Sequence, residues 1–270
     1  MARENWNSEK IFDRLVNNKS QKTYWNNISE LRKRATEEIY DQAYNLAKSE
    51  IDKNKIIGID VLAQLGFDPR IRQQKTVKLF FELLENEQSD DVLFSLFYGI
   101  SHNNENLTEK QVLKLTEFKN SKNKDIRYSL VSALSTVENP KAIETLIELS
   151  EDKYSSIRNW ATFGIGTLSE ENNDRILNAL WNRTKDKHQE TRLEAIVGLA
   201  NRKQSAVKAN IIDELKDGNY TTLLFDAIAE LDDKEFILYL EKELKSAKND
   251  VSANKKWLVE LKSCLNKLSA

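Results

Sequence analysis

The chain has 270 residues, 31% of them charged, yet its 41 basic and 43 acidic side chains nearly cancel to a formal charge of −2. That balance argues against duplex nucleic acid as the main partner, because phosphate neutralisation calls for a basic excess. Only 7 Gly and 2 Pro serve the whole length, too few turn residues for a strand-rich fold, so the composition predicts an all-α chain.

The single cysteine, Cys264, excludes an intramolecular disulfide and suits a reducing, cytoplasmic compartment. No apolar run reaches the roughly 18–20 residues of a membrane span. The segment Met1 to Asn7 lacks the apolar core of a signal peptide.

In chain order, Ser8 to Val16 predicts a short helix with Ile11, Phe12 and Leu15 on one side. Thr23 to Lys33 predicts a second, burying Trp25, Ile28 and Leu31, and its Arg32-Lys33-Arg34 end reads as solvated cations on the C-terminal dipole. From Ala35 onward a template recurs: an amphipathic outer helix, a polar turn, then an inner helix rich in small residues. The segment 157–168 shows it most clearly. Ile157, Ala161, Gly164, Ile165 and Leu168 share one face, narrow enough in the middle for close helix approach, while Trp160 and Phe163 lie on the other.

Equivalent inner positions fall at 54, 92, 126, 157, 191 and 220, a near-regular period that marks an array of paired helices. The segments 234–247 and 252–268 predict closing helices. The polar stretch His102 to Asn106 fits an enlarged inter-repeat loop rather than a linker, so the reading is one domain over 1–270.

The turn-to-helix string Asp152…Ser156-Ile157-Arg158…Ala161 resembles the Asp…Val-Arg…Ala signature of HEAT repeats, particularly the short bacterial type related to bilin-lyase-like repeats. Asp186…Arg192…Ala195 repeats it with the same spacing, and Asp125-Ile126-Arg127 keeps the arginine. The strings at 58–66, 160–164 and 194–200 also resemble a group of bacterial HEAT-repeat proteins without an assigned function. The resemblance implies an α-α superhelix of about six pairs over 35–231, with capping helices at 1–34 and 232–270. It further implies that Arg127, Arg158 and Arg192 form a structural ladder with turn aspartates such as Asp152 and Asp186, which suits guanidinium forks.

If the inner helices line a concave face, as that family's fold implies, the side chains between the packing positions are the candidates for binding. They include Phe94 and Tyr98, four apart on one face, Trp160 and Phe163, three apart on another, and Tyr128 between them. Five aromatic residues on a wet face read as one partner-binding strip for a protein or peptide.

The two histidines, His102 and His188, stand far apart with no helical ligand pair, and the sequence assigns no catalytic residue, metal or cofactor. The leading reading is a non-enzymatic scaffold. Two others stand beside it. One is a nucleic-acid enzyme resembling HEAT-like alkylpurine DNA glycosylases, with Trp160, Trp181, Tyr128 and Asp226 in aromatic and carboxylate roles. The other is a bilin lyase or chaperone, which rests on repeat type.

Overall fold

Short polar side chains start many of the helices, because the first backbone N–H groups of a helix need acceptors from outside it. Asn7 accepts from Lys10 N, Thr36 from Ile39 N, Asn123 from Asp125 N and Asn173 from Arg175 N and Ile176 N. Thr108 and Gln111 form a reciprocal capping box. In the computed structural model, residues 3–218, 220–248 and 254–269 are described, and no strand occurs among them. Lys248 and the start of the last predicted closing helix, at 252, border or fall on the segment outside them.

The chain divides into two compact units, residues 1–139 and 140–270. The first contains α1 (Ser8–Val16), α2 (Gln21–Arg34), α3 (Glu37–Ala47), α4 (Asp52–Ala63), α5 (Gln73–Leu84), α6 (Asp90–Ser101), α7 (Glu109–Thr116) and α8 (Lys124–Leu134). The second contains α9 (Pro140–Leu149), α10 (Ser155–Phe163), α11 (Asp174–Arg183), α12 (Gln189–Asn201), α13 (Lys208–Asp217), α14 (Leu223–Leu231), α15 (Phe236–Lys248) and α16 (Lys255–Ser269). Each odd-numbered helix is followed by its even-numbered partner. Within the first unit α2, α4, α6 and α8 pack in succession, and within the second α10, α12, α14 and α16 do the same. The fold class is an all-α solenoid of paired helices, with α1–α2 and α15–α16 capping its ends. The polar stretch at 102–108 is a loop between α6 and α7, inside the first unit.

The even-numbered rows explain the recurring small residues. A methyl group on Gly58 of α4 would lie 2.2 Å from Ala47 N and 2.4 Å from Ala43 O, so only glycine lets α3 and α4 approach this closely. Buried from every side, α4 loses amphipathicity: all positions from Ile57 to Ala63 are in the core. The same holds from Leu193 to Ala200 in α12. Burying a Leu or Ile side chain contributes about 1.5–3 kcal/mol, and each of these two helices buries three, Ile57, Ile59 and Leu62 in α4 and Leu193, Ile196 and Leu199 in α12. Each carries one charge inside that run, Asp60 and Glu194.

The 157–168 segment does not continue as one α-helix. It ends at Phe163 and passes into a π turn over Gly164–Leu168, closed by Ser169 N bonding Gly164 O at 3.0 Å. A Cβ on Gly198 of α12 would lie 2.6 Å from Gly166 Cα, so the turn and α12 meet backbone to backbone. Arg202 holds the turn's free carbonyls, donating to Ile165 O (2.8 Å), Gly166 O (2.6 Å) and Ser169 O (2.8 Å).

The Arg32-Lys33-Arg34 cluster is not a solvated helix end. Arg32 donates to the Asp60 carbonyl and to Gln64 Oε1, and Arg34 to Trp6 O and Glu30, so both are half-buried and Lys33 alone of the three is exposed. α4 and the N-terminal segment before α1 offer carbonyl acceptors there, Asp60 O to Arg32 and Trp6 O to Arg34, and a buried carbonyl needs a donor more than a helix end needs a free charge.

Candidate functional site

On the even-numbered helices of the first unit a cleft of about 540 Å³ opens between α2 and α6, with α4 as its floor. Its size and apolar lining fall within the range of small-ligand and side-chain pockets. Two edge-to-face aromatic pairs line it: Tyr24–Trp25 from α2, ring centroids 5.2 Å apart, and Phe94–Tyr98 from α6, 4.8 Å apart. Trp25 was expected in the core, yet 51% of it is exposed, and Phe94 is 38% exposed. α2 ends the row in the first unit; it buries Ile28 and Leu31 while Trp25 stays exposed.

Asp60 lies in the floor, only 7% exposed. Tyr24 Oη and Ser95 Oγ each donate to its carboxylate at 2.6 Å, joining α2, α4 and α6. Burial pushes the Asp60 carboxyl above its ordinary value; the two hydroxyls and the nearby Arg32 charge pull it back only in part. At the polar end, Gln64 Oε1 accepts from Arg32 Nη1 at 2.6 Å, so Gln64 Nε2 faces His102 Nδ1 at 3.0 Å as a donor. His102 Nδ1 is therefore the acceptor, and its ring proton sits on Nε2. Burial, then Arg32 and Arg70, hold its pKa below the ordinary value, leaving a neutral imidazole at pH 7.

The predicted strip is distributed over both units. Phe94, Tyr98 and the half-buried Tyr128 belong to the first; Trp160, 46% exposed, and Phe163 belong to the second, ring centroids 5.7 Å apart and edge to face. Tyr98 is held above its ordinary value by burial, with Tyr128 adding to it.

The arginines share one local geometry. Arg127, Arg158 and Arg192 each donate through Nη1 to the carbonyl of the residue six before: Ser121 O at 2.6 Å, Asp152 O at 2.9 Å and Asp186 O at 3.0 Å. The six-residue spacing thus reflects a backbone acceptor, which is why serine serves at 121. Arg158 also takes the buried Asp186 carboxylate of the next turn through two bonds of 2.7 Å. Arg192 pairs instead with Glu214 of α13, at 2.7 Å.

Several functional-looking groups were not legible beforehand. Tyr24 and Arg32 sit where helix periodicity alone predicts an ordinary turn of surface, and Arg202 carries no motif. Of the residues considered for glycosylase chemistry, Trp181 lies on α11, in the other row from Trp160 on α10 and Asp226 on α14. Those three do not share one row of the second unit. Among the described residues no three His, Cys, Asp or Glu side chains group as metal ligands, and no helix is long and apolar enough to cross a membrane.

Paired, stacked helices of this kind give the chain the fold of an all-α helical-repeat solenoid. Among solved structures it resembles the X-ray structure of YibA from Escherichia coli, 23% identical over 98% of this chain and 93% of that one, with a TM-score of 0.73. A designed armadillo repeat protein (14% identical, 72% of this chain and 98% of that one, TM-score 0.47) and an engineered protein (13%, 95% and 77%, 0.49) align more loosely. The likeness to YibA shows the fold alone. No family model matches the chain, nor does any curated protein sequence.

Proposed function

We propose that the chain is a non-enzymatic scaffold that binds a protein or peptide through aromatic side chains of its even-numbered helices. Phe94, Tyr98, Tyr128, Trp160 and Phe163 are the contact residues, and Trp25 joins them at the first unit's cleft. One observation carries this reading. Trp25, Phe94 and Trp160 stay exposed on the very helices whose other faces form the core, and exposed aromatic anchors of this size mark interaction surfaces.

The test is affinity capture of a stoichiometric partner, followed by calorimetry with the purified partner and two folded double variants. Trp160→Ala/Phe163→Ala and Phe94→Ala/Tyr98→Ala are each expected to weaken binding about tenfold or more, since buried aromatic anchors are worth roughly 2 kcal/mol or more. Wild-type affinity in both folded variants would overturn the reading.

A further inference from the structure

The two charges inside the fully packed helices are treated in opposite ways. Asp60 of α4 has Tyr24, Ser95 and the nearby Arg32. Glu194 of α12 has no such company. It is 9% exposed, and its Oε2 is buried without a hydrogen-bond partner.

The charged groups acting on Glu194 are also carboxylates: Glu190, one turn earlier on α12, and Asp226 on the adjoining α14. The arginines on and beside the packed helices bond other groups: Arg183 of α11 takes Asp186, Arg175 takes Glu144, and Arg202 takes carbonyls of the π turn. Arg158 of α10 holds Asp186, Arg192 holds Glu214, and Lys267 of α16 acts on Asp226, where Glu260 opposes it. Burial, then Glu190 and Asp226, push the Glu194 carboxyl up to about 7.

A buried carboxylate with no partner costs several kcal/mol unless something pairs with it. In the same repeat register, two residues after the ladder arginine, the contacting helix α10 carries the exposed Trp160. Aromatic faces favour cations.

We propose that Glu194 is the docking point for a lysine or arginine side chain of the partner protein, flanked by Glu190, Asp226 and Trp160. The proposal rests on the scaffold reading and names the partner chemistry of the second unit. Three carboxylates set the complementary charge, and the exposed indole sets a side chain rather than a bare ion as occupant. Cation binding needs Glu194 ionised, so docking releases about half a proton per site at pH 7.

The experiment uses the full chain and a blocked hexalysine peptide, with ¹³C NMR of the Glu194 carboxyl and calorimetry at pH 6 and pH 8. The peptide is expected to draw the Glu194 midpoint down toward the ordinary glutamate range. Affinity should rise about tenfold from pH 6 to pH 8, the ratio of ionised carboxyl for a midpoint near 7. Glu194→Gln, which keeps the shape, should weaken binding about tenfold and abolish that pH dependence, while Glu241→Gln on α15 should change neither.

Wild-type binding in Glu194→Gln, or a Glu194 midpoint that hexalysine leaves in place, would overturn the proposal. So would spermidine occupying the site more tightly than the peptide, which would make the occupant a small polyamine. A natural partner released by Trp160→Ala/Phe163→Ala but retained by Glu194→Gln would leave the scaffold reading standing and remove this one.

Discussion

At the scale of single residues, the ladder arginine Arg158 is the clearest case of a side chain whose job follows from its acceptors. Burial raises the Asp186 carboxyl, but the Arg158 fork, the His188 N–H and the Arg158 and Arg183 charges together hold the group below its ordinary value. Arg158→Ala leaves that buried carboxylate with Arg183, 3.3 Å away, and the His188 N–H, 2.9 Å away, and is expected to cost about 1–4 kcal/mol in urea unfolding at pH 7. The sign with pH follows from the depressed native value. The pair's stability is fully present above the ordinary aspartate pKa of about 3.9 and is lost as pH falls through the lower native one, so the variant's deficit shrinks in acid. An unchanged urea midpoint at pH 7 would show that the fork contributes nothing. Residue-level reading of the sequence reached Arg158 and Asp186 because a repeated spacing betrays them. It did not reach Arg202 or Glu214, whose partners come from elements without a fixed spacing to them.

Close backbone contact dominates at the scale of helices, and the π turn against α12 is its sharpest instance. Alanine favours a helix over glycine by about 1 kcal/mol, so Gly198→Ala in an unconfined helix would stabilise. Here the added methyl would sit 2.6 Å from Gly166 Cα and 3.2 Å from Leu180 Cδ1. Overpacking of that kind costs about 1–3 kcal/mol, so the overlap wins and the melting temperature is expected to fall. Gly166→Ala, whose nearest contact is 3.3 Å, should be milder. A Gly198→Ala protein that melts higher than wild type would show that α12 and the turn have room to part. The glycines were visible in sequence as small residues on a packing face; the π turn was not, because Gly164 and Gly166 fit an uninterrupted helical pattern equally well. Helix ends shifted for a related reason: caps such as Thr36 and Asn173 override the apolar period by a residue or two.

For the molecule as a whole, the paired-helix array was legible because each repeat restates it, and six pairs from α3 to α14 follow the period read from positions 54 to 220. Which aromatics face water was less legible, since a residue at the end of a row, such as Trp25, loses the neighbour that periodicity assumes. Ser95 and Asp60 carry no repeated spacing that would mark them, and are tied into the floor of the cleft. The central claim is that exposed aromatics on the even-numbered helices meet the partner. Hydroxyl-radical footprinting with mass spectrometry, on the free chain and on its complex with the captured partner, tests it most directly. Trp25, Phe94 and Trp160 are expected to oxidise readily in the free chain, and the partner is expected to protect Phe94 and Trp160. Full oxidation of both in the complex, with protection falling on odd-numbered helices such as α5 and α7, would contradict it.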